Sequence, residues 1–210
     1  MPKPENSPAC APRGRERLLA AAVRQFAAKG YAATTVRDTL RAAEVTAPVL
    51  YYHFGSKEGL FLALAQQGLE KIESSRRLAL TGGGTAAERI RRVCRASAEV
   101  KREWVDLIWV VEAILSGPPE AAPRFDFAAP VGAWLELLEG LIGEGVAGGE
   151  FRPCNPTHVA LVLTGALEVS TRPHVFNLGR EDAGAQLDGM LSVVLAGLAL
   201  EAPSGPRRRG

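Results

Sequence analysis

A chain of 210 residues, 47% of them hydrophobic, permits one large domain or a small domain joined to a larger one, with enough apolar surface for a real core. The net charge of +2 is uneven: residues 1–60 carry nine Lys and Arg against five Asp and Glu, and the remainder carries 16 against 18. A basic N-terminal module on an acidic body suits phosphate binding at one end, while the longest apolar run near the end, Ser192–Leu200, is far too short to span a bilayer.

The Pro-rich, polar start reads as a disordered arm over residues 1–14, without the basic-then-apolar pattern of a signal peptide. Cys10, Cys94 and Cys154 are scattered and fit free thiols in a reducing compartment. A cytoplasmic protein is expected. The first helix should run from Arg15 to Lys29, with Leu18, Leu19, Ala22, Val23 and Phe26 as its stripe and Gly30 as its stop. Arg13, Arg15 and Arg17 at its start are either phosphate contacts or a solvated arm.

Thr35 is a good N-cap for a second helix, since its hydroxyl can accept from a free backbone N–H of the first turn. Ala42-Ala43-Glu44-Val45 makes a turn, and Thr46 caps a third helix with Pro48 in its first turn, where the missing N–H costs little. Leu50 and Phe54, at i and i+4, point inward and leave Ala47, Pro48, Val49, Tyr51, Tyr52 and His53 for the remaining surface. A short braced helix of this kind is the shape that enters a major groove. The segment reads as a helix-turn-helix.

A fourth helix follows from Ser56 to about Leu78, and Gly82-Gly83-Gly84 ends it. Thr85-Ala86-Ala87-Glu88 is a capping box for the next helix. Helical signal continues through Val100 and from Trp104 to Leu115, until Gly117-Pro118-Pro119 breaks it. Pro130 opens a helix with Trp134, Leu138 and Ile142 on one face. The last two helices are expected over residues 157–172 and 181–201, with a disordered tail over 203–210. The first of these is apolar nearly all round from Val159 to Val169, which implies burial on both sides. In the second, Leu187, Leu191, Val194, Leu195 and Leu198 form a stripe. Together with Val162, Gly165, Ala166 and Val169 they suit a four-helix dimer seam; a monomeric core is the alternative.

No strand run, phosphate loop, G-x-S-x-G or metal-spaced cluster competes, so neither an enzyme nor a cofactor or metal is expected. His158 and His174 have no acidic partner in sequence.

The helix-turn-helix resembles the tetracycline-repressor (TetR/AcrR) family of bacterial one-component regulators. The resemblance is carried by Phe26-Ala27-Ala28-Lys29-Gly30-Tyr31, Thr34 to Asp38, Leu50 to Phe54 and Ser56-Lys57-Glu58, and it covers roughly Arg15 to Leu64. Thr39, Leu40 and Glu44 depart from the family pattern. If the Glu44 position needs positive φ, Glu costs about 1 kcal/mol there. The resemblance implies an all-α chain: an N-terminal three-helix DNA-binding domain over 15–60, joined to a helical effector-binding and dimerisation domain over 61–202. It implies a homodimer on a double-stranded DNA operator, most simply a repressor released by a small hydrophobic or amphipathic effector. The alternatives are a regulator that senses no ligand and, more remotely, a helical ligand-binding or enzymatic bundle.

By the same resemblance Thr35 and Arg37 begin the second helix at the DNA, Thr46, Ala47, Pro48 and Val49 face bases, and Tyr51, Tyr52, His53 and Lys57 meet phosphate. Thr, Tyr, His and Lys are phosphate donors, and Ala and Val offer apolar contact to thymine methyls. Trp104, Trp109, Glu112, Phe125, Phe127 and Trp134 lie on segments that line the family's effector pocket.

Overall fold

A computed structural model describes residues 11–117, 123–172 and 183–200. Cys10, Pro118, Pro119, His174, the expected helix start at residue 181 and the expected tail lie outside them. The described residues form α1 (Ala11–Lys29), α2 (Val36–Ala43), α3 (Ala47–Phe54), α4 (Lys57–Leu80), α5 (Ala86–Glu103), α6 (Val105–Leu115), α7 (Ala128–Ala147), α8 (Pro156–Thr171) and α9 (Ala183–Leu198). The all-helical expectation holds. Among the described residues no helix is long and apolar enough to cross a membrane, and no group of three His, Cys, Asp or Glu could hold a metal ion.

The chain divides into two compact units. One holds the chain up to Lys71 together with Glu103–Phe125; the other holds Ile72–Arg102 and the chain from Asp126 onward. Sequence put the α6 stretch in the C-terminal body, but α6 belongs to the first unit. Its Leu107, Val110 and Ile114 are buried, and α4 approaches it closely at Gly68, where a Cβ would lie 3.0 Å from Leu107 Cδ2.

The first unit is built on the α1 stripe. Leu18, Leu19, Ala22 and Phe26 are buried with Leu50, Leu60, Phe61 and Leu64. Phe26, Tyr31 and Phe61 form a ring cluster with centroids 5.3–6.3 Å apart. α1 starts at Ala11, before the expected Arg15, so Arg13 and Arg15 are helical rather than part of a free arm. Gly30, at φ +82°, ends it.

The second unit centres on Ile90, Val93, Cys94, Trp134, Leu138 and Ile142. The expected capping box is present: Thr85 Oγ1 accepts from Glu88 N–H at 3.2 Å and Glu88 Oε2 accepts from Thr85 N–H at 3.0 Å. The loop after α7 adds a second cap, because Glu150 accepts from the N–H groups of Ala86 and Ala87 at 2.6 and 2.9 Å. Burial pushes the Cys94 thiol up to about 12, so it is an inert core side chain.

Part of the expected seam needs a correction: Val162 and Gly165 lie on an open face, but the α9 leucines and Ala166 do not. Leu187, Leu191, Leu195 and Leu198 are buried in this unit's own core, with Leu163, Ala166 and Leu167 of α8. The stripe is consumed inside one chain. What α8 and α9 leave open is the opposite face, with Leu161 and Val162 about half exposed and Val193 76% exposed. Gly165, Gly189 and Gly197 face open space there. Within the single chain, α8 is buried on one side.

Candidate nucleic-acid interface

Thr35 starts α2 in extended geometry, and with Asp38 it forms a reciprocal cap. Its hydroxyl accepts from Asp38 N–H at 3.1 Å and donates to Asp38 Oδ2 at 2.8 Å, and the same carboxylate accepts Thr35 N–H at 3.1 Å. Asp38 also pairs with Lys29 at the end of α1 (3.2 Å) and with Arg41 (3.1 Å). The Thr35 bonds foremost, with Lys29 behind them, hold the Asp38 carboxyl down at about 2. Arg37 is exposed in the first turn of α2.

The turn to α3 passes through Glu44 at φ 50°, ψ 47°, in the left-handed region. The condition set by sequence is met, and Glu sits where glycine would be unstrained. Arg17 of α1 reaches across to its carboxylate at 2.9 Å. Both side chains are largely exposed, so the pair offsets only part of the strain.

α3 then opens at Thr46, whose side chain makes no capping bond. Pro48 sits in the first turn. Leu50 is fully buried and anchors the helix, and Phe54 lies under the Arg15 guanidinium at 5.7 Å. Val49 is half-buried and meets α1 at Gly14, where a Cβ would lie 3.1 Å from Val49 Cγ1. Ala47 and His53 are also half-buried, while Thr46 and Pro48 are exposed. Tyr51 and Tyr52 are 56% and 82% exposed. Both tyrosines project from a short helix with their rings largely in solvent.

Lys57 makes its contacts within this unit. Its Nζ donates to the carbonyls of Tyr31, Thr34 and Ala32 at 2.9, 3.1 and 3.4 Å, and lies 4.4 Å from the centroid of the Tyr31 ring. Desolvation draws its pKa down. The ammonium that sequence assigned to phosphate has its three donors on the loop between α1 and α2. Sequence reading also missed Arg17–Glu44 and Lys29–Asp38, because pairs between helices leave no periodic signal.

The expected effector side chains divide. Trp104, Trp109, Glu112 and Phe125 belong to the first unit, Phe127 and Trp134 to the second. Trp134 is a packed core residue: its Nε1 donates to Thr164 Oγ1 at 3.0 Å, and the Arg76 guanidinium stacks 4.1 Å from its ring centroid. Arg76 in turn donates to Ser97 Oγ at 2.9 Å. Trp104 instead borders a cleft of about 450 Å³ between α1, α4 and α6.

The family described as bacterial regulatory proteins, tetR family, matches residues 18–64. The HTH-type transcriptional repressor KstR2 of Mycolicibacterium smegmatis is 31% identical over 146 residues, covering 66% of this chain and 68% of that protein. The chain belongs to the TetR family of bacterial transcriptional regulators. The transcriptional activator FasR of the same organism is 37% identical over 82 residues, or 39% of this TetR-family chain and 37% of FasR. The solved ketosteroid transcriptional regulator KstR2 of Mycobacterium tuberculosis has a TM-score of 0.73 and 25% identity, covering 94% of this chain and 98% of that one. In this family setting, α2–turn–α3 is the DNA-binding helix-turn-helix.

Proposed function

We propose that the protein is a homodimeric repressor that holds two α3 helices in successive major grooves of a near-palindromic operator and is released by a small apolar or amphipathic molecule. The observation that carries this is α3 itself, a braced helix with a free Thr46 hydroxyl and two outward tyrosines. Arg37, Thr46, Ala47, Pro48 and Val49 read bases, Tyr51, Tyr52 and His53 position the helix on phosphate, and Thr35, its hydroxyl engaged with Asp38, fixes the start of α2 at the DNA. Arg37 carries the strongest direct readout, since its planar fork suits guanine O6 and N7. Repression is favoured over activation because the relative aligned over the longer stretch is a repressor. The effector class follows the apolar walls around Trp104 and the ketosteroid regulator among the relatives.

Selection from random duplex DNA tests the reading. It should return an inverted repeat with half-sites about 34–36 Å apart. Thr46→Val and Arg37→Ala should each change the preferred bases, by about 1–3 kcal/mol per lost contact. Recovery of no enriched sequence would overturn operator recognition.

A further inference from the structure

The cleft of about 450 Å³ in the first unit is lined by α1, α4, the last residue of α5 and the start of α6, and its size falls in the range of small-molecule sites. Leu19, Leu64 and Leu107 are buried beneath it and Trp104 forms a half-buried wall. Glu16, Glu103 and Asp106 stand exposed at its edge. None of the three forms an ion pair among the described residues. The lining holds one cation, Arg15, whose guanidinium lies 5.7 Å from the Phe54 ring centroid, so the carboxylates outnumber it three to one. An apolar floor, an indole face and an excess of carboxylates are complementary to one kind of molecule, a bulky apolar body carrying a positive charge.

We infer that this cleft binds lipophilic cations, with the charge held between Trp104 and the carboxylates of Glu16, Glu103 and Asp106. The inference deepens the reading of the protein as a ligand-controlled repressor by naming a ligand class and a place. It also explains how occupancy reaches DNA. The α1 turns that line the cleft adjoin those that touch the recognition helix, through Gly14 against Val49 and Arg15 over Phe54. A molecule seated against Glu16 and Leu19 bears on the same part of α1, and a ligand that prefers the displaced α1 draws the equilibrium away from the DNA-competent one.

Calorimetric titration of the full chain without DNA tests this, using tetraphenylphosphonium and tetraphenylborate, which share shape and size and differ in charge sign. The phosphonium should bind saturably and about tenfold tighter than the borate. Ala20→Trp, at an exposed lining position, should block the cleft and abolish binding. The triple variant Glu16→Gln, Glu103→Gln, Asp106→Asn should remove the charge preference while circular dichroism stays unchanged. If Ala20→Trp fails to fold, the triple variant decides alone. No saturable binding, equal affinity for both ions, or affinity unaltered in the folded variants overturns the proposal. Because the titration contains no DNA, failure here leaves operator recognition standing, and failure of the DNA selection leaves this site standing.

Discussion

Glu44 takes a backbone conformation that glycine adopts without strain, and Arg17 compensates from another helix. Glu44→Gly removes about 1 kcal/mol of left-handed strain and loses an exposed pair of about 0–1 kcal/mol. The expected net is a small gain in stability, read as a higher urea midpoint, whereas Glu44→Ala keeps the strain, loses the pair and lowers the midpoint. Asp38 makes a second prediction at this scale. Its folded pKa is depressed, from 3.8 to about 2, so its contribution is present above the unfolded value and is lost as pH falls through the folded one. Thermal melts of the wild type should therefore lose stability from about pH 4 down to about pH 2, and Asp38→Ala should flatten that part of the curve. An identical acid limb in the variant would remove Asp38 from the cap's energetics.

Between elements, Lys57 ties the start of α4 to the loop joining α1 and α2 through three carbonyl oxygens. Hydrogen bonds from a charged donor are worth about 1.5–3 kcal/mol each at most, with desolvation opposing them. Lys57→Ala should lower the melting temperature and weaken DNA binding by loosening the helix-turn-helix. The slope of log affinity against log salt should stay unchanged, because no phosphate contact is lost. A slope shallower by about one unit would return Lys57 to the phosphate backbone. The exposed tyrosines behave oppositely: Tyr52→Phe should reduce affinity without affecting stability, since the Tyr52 side chain is largely in solvent.

For the whole molecule, α8 and α9 present two different surfaces. The face holding Leu191 and Leu195 is core, so Leu191→Ala should cost about 2–5 kcal/mol of folding stability. The face holding Leu161, Val162 and Val193 is open in the single chain, and its glycines would let a second copy approach closely. Val193→Glu puts a carboxylate on that face with little effect on one chain's core. Buried without a partner, such a charge is strongly destabilising to an interface. The variant should sediment as a folded monomer with weak operator binding. A dimer of wild-type stability would move the interface to another surface.

The helix-turn-helix was legible because its determinants are local. The Thr35 cap, Pro48 in the first turn of α3, Gly30 after α1 and the inward pair Leu50 and Phe54 each act within a few residues, so spacing alone reveals them. The body helices were legible for the same reason, as at the Thr85–Glu88 capping box. Sequence could not show what each apolar stripe meets. A period of 3.6 residues marks a buried face on α9 but does not say whether the partner is α8 of the same chain or a second copy. The structure assigns Leu187, Leu191, Leu195 and Leu198 to the chain's own core. Lys57 and Arg17 carry the same lesson. Their charges read as surface features until folding brings them to Tyr31 and Glu44, 26 and 27 residues away, and only chain closure creates those contacts. Whether a tryptophan becomes core, like Trp134, or the wall of a cleft, like Trp104, is likewise decided by which helices pack around it.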